Sequence, residues 1–285
     1  MKEFVYTPDE EIKVHSEGAI RLLCGDFQSH EAGLPEWVKN SSDAYARENT
    51  PSNRRAIVLL FDHNRRNSPP SISCLDFCGM TVRTIEQDFR HWASPDAARG
   101  ENENASVQGG HGNGGKCYMV QMFKEYSIIH TARDGRANRY GVPYKGQQFG
   151  YIPSPEEARN YPVPDLKSEL ERALGEINTT ISSLPDVISP IVESAKGFSL
   201  VTGFGPSGYD KKIPVQVLLQ TLRDHPQMIR SLELCDIYVV INGKPYEGGA
   251  PLKLQTIPPL PGTEEPREVK VPDSLEDPSS GESVE

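Results

Sequence analysis

Apolar and polar positions alternate along this chain in blocks that predict short buried strands separated by helices. Residues 55–62 (RAIVLLFD) form an apolar run bounded by polar loops, the pattern of a strand buried on both faces. Residues 71–77, 126–132 (YSIIHTA), 198–202 and 236–242 (DIYVVIN) read the same way. Helices are predicted over 35–48, which lacks glycine and internal proline, over 81–92, where apolar residues recur at helical spacing, and over 116–123 and 215–225. A further helix runs from Asp165, a plausible N-cap, toward residue 184. Two stretches interrupt the pattern. Residues 93–115 are polar, glycine-rich and aperiodic, as expected of a mobile loop or lid, and 143–164 is a proline-rich excursion.

From residue 258 the pattern stops. Residues 258–285 hold six prolines and eight acidic against two basic residues, so this stretch carries -6 of the net charge of -10 and cannot bury enough apolar surface to order itself. The expectation is one principal domain over 1–257 and a disordered acidic tail over 258–285. The body is only mildly acidic, which leaves room for local basic patches at Arg54/Arg55, Arg65/Arg66 and Arg133/Arg136/Arg139; solvated loop and strand ends are the plainer reading. No apolar run approaches the ~20 residues of a membrane span, and no charged start precedes an apolar stretch, so a cytoplasmic protein without membrane association is expected. The five cysteines are odd in number and lack a paired C-x-x-C, which favours reduced thiols over disulfides or a zinc knuckle.

Three segments carry candidate chemistry. In the first, a helix advancing about 100° per residue brings Glu36, Asn40 and Asp43 to one face. An amide oxygen is a hard ligand suited to Mg2+, and a carboxylate one turn away can activate water. A solvated polar face is the plain alternative. In the second, Asp76-Phe77-Cys78-Gly79-Met80 falls where a buried strand ends. A lone carboxylate there can accept from an exocyclic amine, and glycine lets a flat ring approach the backbone. A simple Asp/Gly turn is the alternative. The third is Gly109-Gly110-His111-Gly112-Asn113-Gly114-Gly115-Lys116, a glycine loop running into a helix, whose free amides and lysine suit a polyphosphate. Here the alternative is a flexible linker.

Two familiar motifs are excluded. Residues 110–117 fit G-x-x-x-x-G-K but end in Cys117, a ligand too soft for magnesium, and ENENASVQ before them is no buried strand. A kinase would place its D-F-G after the glycine loop with H-R-D between; here the order is reversed and H-R-D is absent.

In sequence order, Glu36-x-x-x-Asn40-Ser41-Ser42-Asp43-Ala44, Asp76-x-x-Gly79-Met80 and the loop ending in Lys116 resemble the three motifs of the GHKL ATPases: gyrase, the ninety-kilodalton heat-shock chaperone, sensor histidine kinases and MutL. The first motif looks most like the chaperone's, and MORC-type ATPases are also close. The resemblance implies an α+β fold, a two-layer Bergerat sandwich with a mixed sheet and helices on one face, binding ATP and Mg2+. It implies Glu36 as the general base, Asn40 as sole protein ligand of magnesium and Asp43 as support for the pocket. Asp76 would take the adenine amine, with Gly79 and Met80 against the base. Gly110, Gly112, Asn113, Gly114, Gly115 and Lys116 would cover the phosphates as part of a lid.

The sequence departs from the family where a late strand usually carries threonine after glycine: here it reads Gly197-Phe198-Ser199-Leu200-Val201-Thr202, and Thr202 cannot take that role safely. The second motif also lacks the glycine usual next but one after the aspartate. Slow hydrolysis with lid closure acting as a switch for a protein partner is the leading expectation. A nucleotide-gated binding module with negligible turnover, awaiting a residue from a partner or a second copy, competes with it. A DNA-associated clamp of the MORC or MutL kind is third. A histidine kinase is disfavoured because few residues precede the first predicted helix.

Overall fold

The computed structural model describes residues 16–25, 29–63, 68–90, 92, 113–142 and 149–253, together with 275–276 and 283–284. Helix α1 (Ser16–Cys24) precedes α2 (His30–Arg47), which Ser29 caps by accepting from the amide of Ala32. Helix α2 starts before the expected residue 35 and takes in Gly33 and Pro35. Pro35, the sixth residue of the helix, gives up the bond its amide would make to the Glu31 carbonyl, a loss confined to one turn near the start, and Gly33 leaves space for Tyr118, whose ring lies 2.0 Å from where a β-carbon would stand.

Strands β1 (Ala56–Asp62) and β2 (Ser71–Asp76) are buried throughout, as their apolar runs predict. The amphipathic helix expected over 81–92 is instead α3 (Val82–Thr84) running into a wide π-type turn, Ile85–Phe89. Helix α4 (Gly114–Gln121) begins two residues before the expected start. Strand β3 (Ser127–Arg133) returns through Asp134 and Gly135, both at positive φ, into β4 (Arg136–Val142), a strand absent from the sequence expectations although Asp-Gly is a strong hairpin signal. The arginines suspected of forming a basic patch disperse along this hairpin: Arg133 pairs with Glu48 and Arg139 with Glu176.

The proline-rich excursion contains β5 (Gly150–Tyr151), α5 (Pro155–Ala158) and β6 (Tyr161–Pro162); its residues 143–148 lie outside the described residues. Helix α6 (Leu166–Gly175) is capped by Asp165 as expected but stops well before 184, where single 3-10 turns lead to α7 (Ser189–Ser194). Strand β7 (Gly197–Phe204) and helix α8 (Val215–Asp224) follow, then the unexpected α9 (Pro226–Leu234). Pro226, which reads as a stop, opens the next helix, since proline's fixed φ suits a first turn. Strands β8 (Asp236–Ile241) and β9 (Lys244–Pro245) complete the sheet.

The strands order as β5-β4-β3-β7-β2-β1-β8-β9, with β6 beside β4. The pairing of β1 with β8 is parallel and the others are antiparallel, so the fold is α+β around a mixed sheet. Strand alternation splits the interior in two. Ile57, Leu59, Phe61, Ile72, Cys74, Ile129, Ile237 and Val239 pack beneath α2, α4 and α8. Val58, Leu60, Leu75, Leu200 and Val240 face the other way. That second face is not bare, as helices on one face would leave it: Leu170, Ala173 and Leu174 of α6 and Val192 of α7 cover it. Among the described residues no helix is long and apolar enough to cross a membrane.

The chain divides into two units, residues 1–254 and 255–285. In the second, Leu275–Glu276 pairs antiparallel with Ser283–Val284; the rest of the expected tail lies outside the described residues.

Candidate functional site

Strand alternation fixes the direction of Asp76, the last residue of β2. It shares the parity of Ile72 and Cys74 and therefore points toward α2, where Ser41 Oγ donates to Oδ2 at 2.9 Å. Its other oxygen accepts from the Cys78 amide at 3.0 Å. Each carboxylate oxygen keeps acceptor capacity beyond these bonds. Burial without a cationic partner pushes the Asp76 pKa up to about 6, against the hydrogen bonds that oppose the rise.

The turn after Asp76 is pinned at both ends. Phe77 N donates to Tyr45 Oη at 2.9 Å, and that hydroxyl donates in turn to the Ala56 carbonyl at 2.6 Å. Met80 N donates to Thr131 Oγ1 at 2.7 Å. Between them Gly79 adopts φ +78°, and a β-carbon there would stand 2.3 Å from the Ala132 carbonyl oxygen, so no other residue fits.

Helices α2 and α4 approach through glycines. A β-carbon on Gly114 would meet Glu36 Oε2 at 2.2 Å, and one on Gly115 would meet Asn40 Nδ2 at 2.6 Å. Trp37 Nε1 donates to the Gly115 carbonyl at 3.1 Å, locking the register. The first and third motifs, far apart in sequence, are therefore in contact. Glu36 also accepts from Lys39 Nζ at 2.6 Å in a largely buried pair, while Asn40 is exposed.

The sequence candidates then separate. Asn40, Asp76, Gly79, Met80 and Gly115 line one small cavity of about 70 Å3, with Ser41, Met119, Ile129, Ser199 and Val201. Glu36 stands beside it against Gly114. Asp43 is buried, at 3% exposure, but does not line it, because its place on the helix is turned about 60° from Asn40 and away from Ala44, which does. Asn113 precedes the first turn of α4, its carbonyl accepting from Cys117 N at 2.8 Å. Lys116 does not reach into open space: it is buried, with Nζ 5.0 Å from the Trp92 ring centre and 5.8 Å from that of Phe89. Gly110 and Gly112, with most of the predicted lid, lie outside the described residues.

Sequence reasoning missed Ser41, Thr131 and Ser199. Thr131 Oγ1 donates to the Phe198 carbonyl at 2.7 Å and lies 3.1 Å from Ser199 Oγ; Ser199 sits opposite Asp76 in the β2–β7 register. Thr202, three residues on, has the opposite parity and meets Ser73 on the far side of the sheet at 2.9 Å. Alternation from Val201, had the strand's inward face been known, would have picked Ser199.

The arrangement offers a buried acceptor, an apolar slot and an exposed amide at its rim. At ~70 Å3 the cavity is small against the ~300–1,000 Å3 of ordinary ligand sites, and Phe89 forms part of its wall.

No protein-family model matches the sequence, and no curated protein matches it. Among solved structures, the ATPase region of Saccharomyces cerevisiae topoisomerase II bound to ICRF-187 (dexrazoxane) aligns at 14% identity and TM-score 0.42, over 75% of this chain and 49% of that one. A second structure of the same ATPase region aligns at 13% identity and TM-score 0.38, over 74% and 47%. The chain thus spans about half the length of these structures.

Proposed function

We propose that this chain is a GHKL-type, chaperone-like ATPase domain that binds ATP with Mg2+ between α2 and the sheet and hydrolyses it slowly. The observation that carries this reading is Asp76: a buried carboxylate with no salt bridge among the described residues, held at a strand end by Ser41 and Cys78, beside a glycine turn through which a flat base can approach. The adenine amine would donate to Asp76, with Met80, Met119, Ile129 and Val201 against the ring. Asn40, exposed at the rim, fits a magnesium ion that takes its remaining ligands from phosphates and water. Bound there, magnesium would neutralise phosphate charge. Gly114 and Gly115 at the start of α4 would offer backbone amides to phosphate oxygens.

Glu36 would serve as base, worth roughly 10²–10⁴ in rate. One feature favours the rival reading of negligible turnover: Glu36 is held by Lys39 at 2.6 Å, and water activation requires that contact to loosen. In the switching step we propose, Phe89 and Trp92 swing away from the cavity and from Lys116 together, so that opening the slot also frees the lysine for phosphate. A protein partner, or a second copy of the chain, would read that change; a DNA-associated clamp is the weaker alternative.

Calorimetry of ATP with and without Mg2+ tests this on the parent and Asp76→Asn. Magnesium-dependent binding that weakens about 100-fold in the variant supports the reading, and unchanged binding overturns it. Glu36→Ala separates the two mechanisms: lost turnover with retained binding supports hydrolysis, whereas parental turnover removes Glu36 from the chemistry.

A further inference from the structure

Two of the arginines that suggested a basic patch in the sequence, Arg54 and Arg133, come together at a second cavity, joined by Lys196 from the turn before β7. This cavity, of about 260 Å3, is bordered by Glu48, Asn49 and Ser194 as well, and its inner wall is Phe77 and Cys78. Cys78 borders the first cavity too.

The charges there do not cancel. Arg133 donates both guanidinium nitrogens to Glu48, at 2.7 and 2.8 Å, and lies 3.5 Å from Asp134, so it is already compensated. Arg54 and Lys196 enter no salt bridge among the described residues, and both are exposed at the mouth. The carbonyls at the end of α2, which would repel an anion, are used inward by the amides of Glu48, Asn49 and Thr50. Arg54 and Lys196, from separate segments, thus add positive charge beside the Arg133–Glu48 pair, and although Glu48 also feels Lys196 the concavity keeps a positive excess in a protein of net charge -10.

We propose that this cavity binds a small phosphomonoester, its phosphate held between Arg54 and Lys196 and its organic part against Asn49, Ser194 and Phe77. The volume suits a phosphate on a few carbons and falls below the ~300 Å3 at which ordinary ligand sites begin. Because Cys78 is shared, occupancy would alter the turn that carries Gly79; that consequence rests on the nucleotide reading, while the binding itself does not.

The test titrates glycerol 3-phosphate into the full isotope-labelled chain without ATP, following backbone amide resonances, with glycerol as the uncharged control. Saturable shifts at Asn49, Cys78 and Lys196 are expected. They should weaken by about tenfold for each charge removed in Arg54→Gln/Lys196→Gln, recover in Arg54→Lys/Lys196→Arg, and persist in Asp76→Asn. Absence of saturation at millimolar ligand, equal shifts with glycerol, or undiminished binding to the glutamine pair would overturn the site. So would loss of the shifts in Asp76→Asn, which would put the ligand in the first cavity.

Discussion

Two carboxylates near the same turn behave oppositely. Asp76 faces the small apolar cavity with neutral hydrogen-bond donors, and burial raises its pKa to about 6. Glu48, at the mouth of the larger cavity, is paired with Arg133, and that hydrogen bond holds its carboxyl below the ordinary range. What separates them is the partner each was given. A buried carboxylate without a cation is poised to accept a proton-bearing ligand, whereas an exposed ion pair is already satisfied and adds little.

Experiments can break this contrast, beginning with the turn that both cavities share. Gly79→Ala forces a β-carbon into the Ala132 carbonyl at positive φ, and should cost about 3 kcal/mol of stability in urea unfolding. Asp76→Asn should reduce ATP affinity about 100-fold, or roughly 2.7 kcal/mol. Its effect on stability should change with pH. The folded-state pKa of Asp76 is raised, so the protonated form is the stable one and stability is lost as pH rises from about 4 through 6. The asparagine variant should therefore gain on the parent across that window in denaturation midpoints.

ATP affinity should run the other way. The ionised carboxylate is the better acceptor for the adenine amine, so as pH drops through about 6 calorimetric affinity should fall more steeply in the parent than in Asp76→Asn, where only the titration of the ATP phosphate remains. Gly114→Ala should displace Glu36, the flexible end of the close contact, lowering turnover about tenfold with ATP binding kept. The smallest effect belongs to the exposed pair. A double-mutant cycle on Glu48→Gln and Arg133→Met should give under ~1 kcal/mol, fading with salt. Because the Glu48 pKa is lowered, that contribution is present above its ordinary value and is lost as pH falls below it.

The buried strands were legible because the apolar runs of β1, β2, β3, β7 and β8 have no other stable use. The hairpin strand β4 was missed because Arg136, Asn138 and Arg139 break the apolar pattern. Its neighbours settle it: β3 pairs along its whole length, and the Asn138 side chain accepts from the Asn160 amide at 2.7 Å. The wide turn 85–89 reads as ordinary helix, since nothing local marks a change in winding.

By itself the sequence determined the strand and helix alternation, the carboxylate at the end of β2, the glycine that must follow it, and the segments that supply Glu36, Asn40 and Lys116. These depend on period, on residue type and on a turn only glycine can make. Which of those side chains share a cavity was decided in three dimensions. Helix winding and strand parity bring Ser41 and Ser199 to Asp76 and Thr131 to Met80 while turning Asp43 and Thr202 away, and contact between distant segments buries Lys116 beneath Phe89 and Trp92. Such choices depend on the register between elements and on contacts across the fold, which no local stretch of residues encodes.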